Sequence, residues 1–328
     1  MKAVAYSIKP FEKEYLAKAN QKKHDITLIS NALSPATAVY AKGKEAVVVF
    51  TNDDVSANVI DILAKLGIKY IITRTTGTDH IDKKAAAKHQ IEIYNVPSYS
   101  PQAIAEYTIA LAFALSRQLI KANQHSHNFD FRNDGLMGFN FKGKTVGLIG
   151  LGNIGNAVAS IFNSLGCKVF GHDLRFPENV YHVQDVTLPQ LLAASDIISL
   201  HLPLTPASKY LIDKKAFDQM KDGVMLINTS RGALIKTTDL LEALENGRVG
   251  YLGMDVYEYE KGLFFEDHEN DLVKDELLQN LMKQKNVLIT PHQAYLTKEA
   301  LQEIASLTIR NLDRCNNYKT SLTVTEPV

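Results

Sequence analysis

Short runs of β-branched and aliphatic residues alternate along the chain with stretches whose apolar positions recur every three to four residues. In the first third the runs are "AVAYS" (3–7), "ITLI" (26–29), "AVVVF" (46–50) and "YIIT" (70–73), separated by segments such as "NVIDILAKLG" (58–67) with helical spacing. This alternation predicts parallel sheet covered by helices. The rhythm pauses at "NVPSYSPQAIAEYTIALAFALSRQLIKANQ" (95–124), where Pro97 and Pro101 punctuate the chain, Ser100 can cap, and Pro101 suits a first helical turn. A domain crossing is expected here. After a loop rich in Asn, His and Phe (123–142) the pattern restarts with "KTVGLIG", "KVFGHD", "DIISLHLP", "GVMLINTS", "YLGMDV" and "NVLITPH". Six such strands suit a doubly wound nucleotide domain. The segment 298–318, "KEALQEIASLTIRNLDRCNNY", reads as an amphipathic helix that returns to the first lobe.

Composition narrows the function classes. The chain has 328 residues, enough for two domains, and its 36 Lys and Arg balance 36 Asp and Glu. No global field therefore favours nucleic acid or an anionic membrane. Only two cysteines occur, Cys167 and Cys315, far apart and in no Cys-x-x-Cys pair, so neither a disulfide framework nor a zinc site is expected and a reducing cytoplasm fits. No metal is expected. The N-terminus lacks an apolar stretch of signal-peptide length. "YTIALAFALS" (107–116) is the most apolar run, and at half of the ~20 residues that a bilayer crossing needs it should be a buried helix. The acidic stretch 258–276 reads mostly as a solvated loop.

The chemistry starts at "GLIGLGNIG" (147–155), which contains Gly150-x-Gly152-x-x-Gly155. A bare G-x-G-x-x-G is weak, but here it joins a strand to a helix that leads into the next strand, a whole βαβ unit. Gly150 permits the tight turn, Gly152 lets backbone approach a pyrophosphate, and Gly155 allows close helix packing. Asn153 and Ile154 lie within the same loop, where a helix N-terminus offers N–H groups to an anion. Asp173 ends the second strand, eighteen residues past Gly155, where a carboxylate accepts from both adenosine ribose hydroxyls. That favours NAD, although Arg175 could soften the discrimination against a 2′-phosphate. "GFNFKGKT" (138–145) matches a phosphate-loop pattern by letter, but it precedes its strand instead of following it and carries Phe139 and Phe141 where backbone should wrap phosphate. It is rejected.

In open α/β sheets ligands bind beyond the carboxyl ends of the strands, which makes Arg231 in "MLINTSRG", Asp255 and Glu260 in "LGMDVYEYE", and His292 in "VLITPHQA" the catalytic candidates. Singly each has a plain alternative as a surface cation, a loop acid or one histidine among ten. Jointly they form a mechanism: a guanidinium fork for a carboxylate and carbonyl, a histidine that passes a proton, and a glutamate that orients the ring. That is equipment for reducing a 2-keto acid with NADH.

The series "TTGTDHID" (75–82), "NVPSYSPQAIAE" (95–106), "GKTVGLIGLGNIG" (143–155), "HLPLT" (201–205), "NTSRGALI" (228–235), "GMDVYEYE" (253–260) and "TPHQAYLT" (290–297) resembles the D-isomer-specific 2-hydroxyacid dehydrogenases over nearly the whole chain. The resemblance implies two doubly wound α/β domains, a Rossmann NAD-binding domain (100–296) inserted in a flavodoxin-like substrate domain (1–99 and 297–328). It implies that Arg231 holds the substrate, that His292 is the acid/base and Glu260 its partner, and that Asp255 contacts the nicotinamide side. Backbone at Thr76 and Gly77 would bind the substrate carboxylate, and Phe50, Tyr99 and Tyr295 would line a pocket sized for a small group such as methyl. Leu202, Pro203, Thr229 and Ser230 would border the cofactor. "GLFFEDHEND" (262–271) resembles the lactate branch more than the phosphoglycerate or glyoxylate branches, so pyruvate and D-lactate are the expected pair. The alternatives are a larger branched-chain or phenyl keto acid, and a non-catalytic NADH-responsive interaction module. A homodimer or homotetramer is implied through the apolar helix after Pro101.

Overall fold

The computed structural model describes residues 1–178, 180, 182–271 and 273–322, with 317–322 as backbone alone. The chain divides into two compact units, Met1–Ser100 with Leu296–Val328, and Pro101–Tyr295.

The first unit runs β1 (Lys2–Ala5), α1 (Glu12–Asn20), β2 (Asp25–Leu28), β3 (Ala46–Val49), α2 (Ala57–Lys65), β4 (Tyr70–Thr73), α3 (Lys83–Lys88) and β5 (Glu92–Tyr94). Its five strands are all parallel, in the flavodoxin-like order β2-β1-β3-β4-β5. Alternate residues of a strand face opposite sides. Accordingly Val4, Val47, Val49 and Ile71 pack with Val59, Ile60 and Leu63 of α2, whereas Ala3, Ala5, Val48 and Ile72 pack with Leu16, Ile309 and Leu312. Continuous apolar runs such as "AVVV" follow from this two-sided burial.

The second unit contains α4 (Pro101–Ser116), α5 (Leu119–His127), β6 (Thr145–Ile149), α6 (Asn153–Ser164), β7 (Lys168–His172), β8 (Val183–Asp185), α7 (Leu188–Ala194), β9 (Ile197–Leu200), α8 (Lys214–Gln219), β10 (Val224–Asn228), α9 (Thr237–Glu245), β11 (Val249–Met254), α10 (Glu276–Lys283) and β12 (Val287–Ile289). Its sheet has seven parallel strands in the order β12-β11-β10-β9-β6-β7-β8, one more than the six expected. The chain then returns to the first unit as α11 (Lys298–Leu322), packed on α1 and β4. Helix α4 lies against α6 and strands β10 to β12, with Ile109, Leu111, Ala112 and Leu115 in the core. Helix α5 turns away by 60°, and among the described residues no single helix is long and apolar enough to cross a membrane.

The sheet register positions the site. Ile149 pairs with Leu200 and His172, Leu200 with Asn228, Asn228 with Met254, and Met254 with Ile289. The last residues of six strands therefore stand in one row, and whatever follows them shares one edge of the second unit. Strand order reverses between β6 and β9, the switch point at which a dinucleotide binds.

Candidate active site

The glycine loop leaves the row at this switch point. Gly150 has φ +94°, and a Cβ there would lie 2.4 Å from the His201 carbonyl oxygen; at Gly155 it would lie 2.1 Å from the Gly150 carbonyl oxygen. Both glycines are required by the backbone itself. At Gly152 a Cβ would meet nothing within 4 Å, so no protein contact demands glycine there. A bare, open backbone at the N-terminus of α6, with no side chain capping the helix, is what a pyrophosphate needs. Helix α6 begins at Asn153, so Asn153, Ile154 and Gly155 form its first turn instead of preceding it. Asp173 accepts from Leu151 N at 2.7 Å and from Arg175 N at 3.1 Å, which fixes its carboxylate beside the glycine loop. These residues fit NAD.

Across the switch point, the imidazole of His201 meets Ser199 Oγ at 2.9 Å, and burial pushes its pKa down to about 3, so the ring stays neutral. Leu202 is half-buried and Pro203 exposed. Ser230 Oγ donates to Leu200 O at 2.8 Å, and the Thr229 hydroxyl meets that of Thr108 on α4 at 2.9 Å.

Arg231 follows β10 on a turn closed by Asn228, whose Oδ1 accepts from Ser230 N at 3.0 Å and whose Nδ2 donates to Arg231 O at 2.8 Å. The guanidinium donates from Nη1 to Ser230 O at 2.8 Å. The next residue, Gly232, is pressed on another turn: a Cβ there would lie 2.0 Å from Tyr257 C and 2.3 Å from Glu258 N. Lacking a side chain, Gly232 lets the turn bearing Arg231 touch the turn bearing Glu260. Backbone cannot swing aside as a side chain can, so Gly232→Ala is expected to cost about 3 kcal/mol, the upper end for an overpacked site. Thermal denaturation beside steady-state kinetics checks this; unchanged stability would show that the two turns can separate freely.

His292 and Glu260 meet directly. The imidazole Nδ1 lies 2.9 Å from Glu260 Oε1, with both side chains mostly buried, and Glu260 Oε2 accepts from Tyr257 N at 3.0 Å. A carboxylate only accepts, so Nδ1 carries the proton of this bond and Nε2 is the nitrogen left to exchange one. His292 has φ +54°, a left-handed conformation that costs a non-glycine residue energy and is found where surrounding structure over-determines it. The determinant is Asp255. Fully buried at the end of β11, it accepts from Thr290 Oγ1 at 2.6 Å, Gln293 N at 2.9 Å and Ala294 N at 2.7 Å, so both its oxygens hold the loop that bears His292. Burial raises its pKa above the ordinary carboxylate value. On the far side of that loop Gln293 Nε2 donates to the Tyr107 hydroxyl of α4 at 2.6 Å. Tyr295 is buried.

In the first unit the strand ends form a row of their own. Phe50, after β3, is buried, its N–H donates to Asp53 Oδ2 at 2.6 Å, and Arg74 lies over its ring at 5.0 Å. Arg74 is itself buried and paired with Glu12. After β4, Thr75 Oγ1 donates to Gly77 O at 2.6 Å and Asn95 Nδ2 to Thr76 O at 2.8 Å. Both carbonyls are tied back, and N–H groups are what such a loop offers an anion. Tyr99 is half-buried near the end of this unit's first segment.

Sequence reasoning did not single out Gly232, Thr108, Tyr107 or Gln293, because each acts through a contact between segments distant along the chain. The acidic stretch is a mostly exposed loop, as expected, but it is tied down at two points: Glu258 accepts from the Tyr210 hydroxyl at 2.5 Å and Thr237 N at 3.0 Å, and Phe264 enters the core. Among the described residues no group of three His, Cys, Asp or Glu is placed to hold a metal ion.

A Rossmann sheet with an NAD-shaped glycine loop and a hydrogen-bonded histidine–glutamate pair on the same edge defines a nicotinamide-dependent oxidoreductase. Residues 109–294 match the family model for the D-isomer specific 2-hydroxyacid dehydrogenase NAD binding domain. The chain is 42% identical over 324 residues to the D-lactate dehydrogenase of Escherichia coli (strain K12), covering 98% of each. It is likewise 42% identical over 316 residues to 2-hydroxyacid dehydrogenase homolog 1 of Schizosaccharomyces pombe, covering 95% of each. Among solved structures, the D-lactate dehydrogenase of Aquifex aeolicus complexed with NAD and lactic acid superposes with a TM-score of 0.88 at 29% identity, covering 99% of this chain and 100% of that one. The chain belongs to the D-isomer-specific 2-hydroxyacid dehydrogenases, which are NAD-dependent oxidoreductases.

Proposed function

We propose that the protein reduces pyruvate to D-lactate. The observation that carries this reading is the His292–Glu260 pair, held by Asp255 on the same sheet edge as Arg231 and the glycine loop. NADH, when bound, supplies the hydride that C2 of the keto acid receives. His292 protonates the C2 oxygen from Nε2, and Glu260 keeps the opposite nitrogen protonated and the ring in one orientation. Arg231 grips the substrate carboxylate and carbonyl, drawing charge toward the oxygen as it develops. Leu202, Pro203, Thr229 and Ser230 border the cofactor. Tyr295, buried beside the loop that bears His292, adds aromatic bulk that favours a methyl group.

A homo-oligomer suits the exposed apolar residues Phe113, Leu119, Ile120, Phe129, Phe131 and Met137. A cytoplasmic setting suits two buried, unpaired thiols, Cys167 and Cys315, that burial pushes up to about 11 and about 12.

The test is NADH oxidation with pyruvate, a branched-chain keto acid and phenylpyruvate, followed by product chirality. Pyruvate should exceed phenylpyruvate in kcat/KM by at least about tenfold, within the range that pocket size commands. Preference for the larger acids would reassign the substrate, and NADH binding without any turnover would overturn the enzymatic reading.

A further inference from the structure

The turn that carries Glu260 does more than present a carboxylate. The Glu260 carbonyl accepts from Leu263 N at 3.0 Å and from Phe264 N at 2.9 Å, which curls the chain back on itself. Phe264 is then anchored in the core, stacked on Tyr257 at 6.4 Å, and the Tyr257 hydroxyl is fixed by both oxygens of Asp275 at 2.9 Å. The following residue, Phe265, lies in the left-handed region at φ +70°. Its side chain, unlike that of Asn or Asp, cannot hydrogen-bond the local backbone there, so its surroundings hold it. The strained backbone sends Phe264 and Phe265 to different targets. Phe265 packs on the imidazole of His292, ring centroids 5.5 Å apart and planes inclined at 41°.

We propose that Phe265 is a positioning residue for His292, one wall of a clamp whose other side is Glu260. The carboxylate holds the ring through Nδ1, but a single hydrogen bond still lets the imidazole rock about its Cβ–Cγ bond. An aromatic ring against the imidazole removes that freedom and keeps water from that side, so Nε2 keeps one direction. One short turn thus supplies both restraints. Their common anchor is Tyr257, stacked on Phe264 and hydrogen-bonded to Asp275.

This inference rests on the acid/base reading of His292, and the tests separate the two. Phe265→Ala should lower kcat for pyruvate by about tenfold, the order of loss expected when a catalytic group is misplaced, with KM and NADH affinity nearly unchanged. Phe265→Tyr, which keeps the ring, should restore most of that loss. In a His292→Ala background Phe265→Ala should have no further effect, because a residue acting through the imidazole has nothing left to position. A further tenfold loss there would overturn the proposal while leaving His292 in its role. A readout independent of turnover is the ring-current shift of the His292 ring protons in the NMR spectrum, which should disappear in Phe265→Leu. An unchanged spectrum, or full kcat in Phe265→Ala, would equally overturn it. If the native protein shows the ring-current shift but reduces no keto acid, the acid/base reading fails, and the positioning role with it.

Discussion

Replacing His292 by asparagine is expected to lower kcat for pyruvate reduction by a hundredfold or more, the usual weight of a positioned general acid, with NADH affinity preserved. Asparagine is the sharper choice than alanine for a structural reason. Residue 292 has φ +54°, a region that asparagine enters more readily than most residues, so the loop held by Asp255 should keep its shape. Loss of activity would then report loss of the imidazole and not collapse of the loop. Thermal denaturation of the same variant supplies the control, and its midpoint should not fall. Without the imidazole, the proton for the C2 oxygen must come from water. Turnover within a few-fold of the native rate would mean that another group is the acid and that the Glu260 contact serves only to hold the loop.

How much of this was legible in the chain differs between the fold and the site. Strands buried on both faces announce themselves as continuous apolar runs, and "YIIT" coincides with β4 residue for residue. The strands not singled out, β5 and β8, are three-residue edge strands, "EIY" and "VQD". One-sided burial at a sheet edge asks too few apolar residues for a run to form. The glycine loop was legible because two of its glycines answer to backbone contacts within a few residues and one neighbouring strand. The candidates Arg231, Glu260 and His292 were legible by position, as residues just past strand ends. The choice between Glu258 and Glu260 in "VYEYE" was not a matter of position alone. Only the folded structure shows the first engaged by Tyr210 and Thr237 and the second by His292. Gly232 and Phe265 were hidden for the same reason. Each matters through a contact across a gap of 25 residues or more, and nothing local distinguishes a glycine or an aromatic that has such a contact from one that does not.

Arg231→Ala should reduce kcat/KM for pyruvate by roughly a thousandfold, a larger deficit than any other substitution outside the His292–Glu260 pair. Two parallel charge-assisted bonds to one carboxylate and carbonyl, at roughly 1.5–3 kcal/mol each, amount to about 4 kcal/mol, and each 1.4 kcal/mol is tenfold. The fork is also preorganised. Nη1 is tethered to Ser230 O, the residue's own carbonyl accepts from Asn228 Nδ2, and the turn is braced through Gly232 against Tyr257. Little side-chain freedom therefore remains to be lost when substrate binds, and more of the interaction appears as affinity for the transition state. Arg231→Lys separates charge from shape. A lysine keeps the positive charge but presents a point donor on a flexible stem, so it should recover only part of the loss. If lysine restored the full rate, long-range charge would suffice and the planar fork would be irrelevant. If alanine left kcat/KM unchanged, the substrate carboxylate would have to be bound elsewhere. NADH affinity measured in parallel should be unaltered in both variants, because the glycine loop and Asp173 follow strands β6 and β7 on the other side of β9.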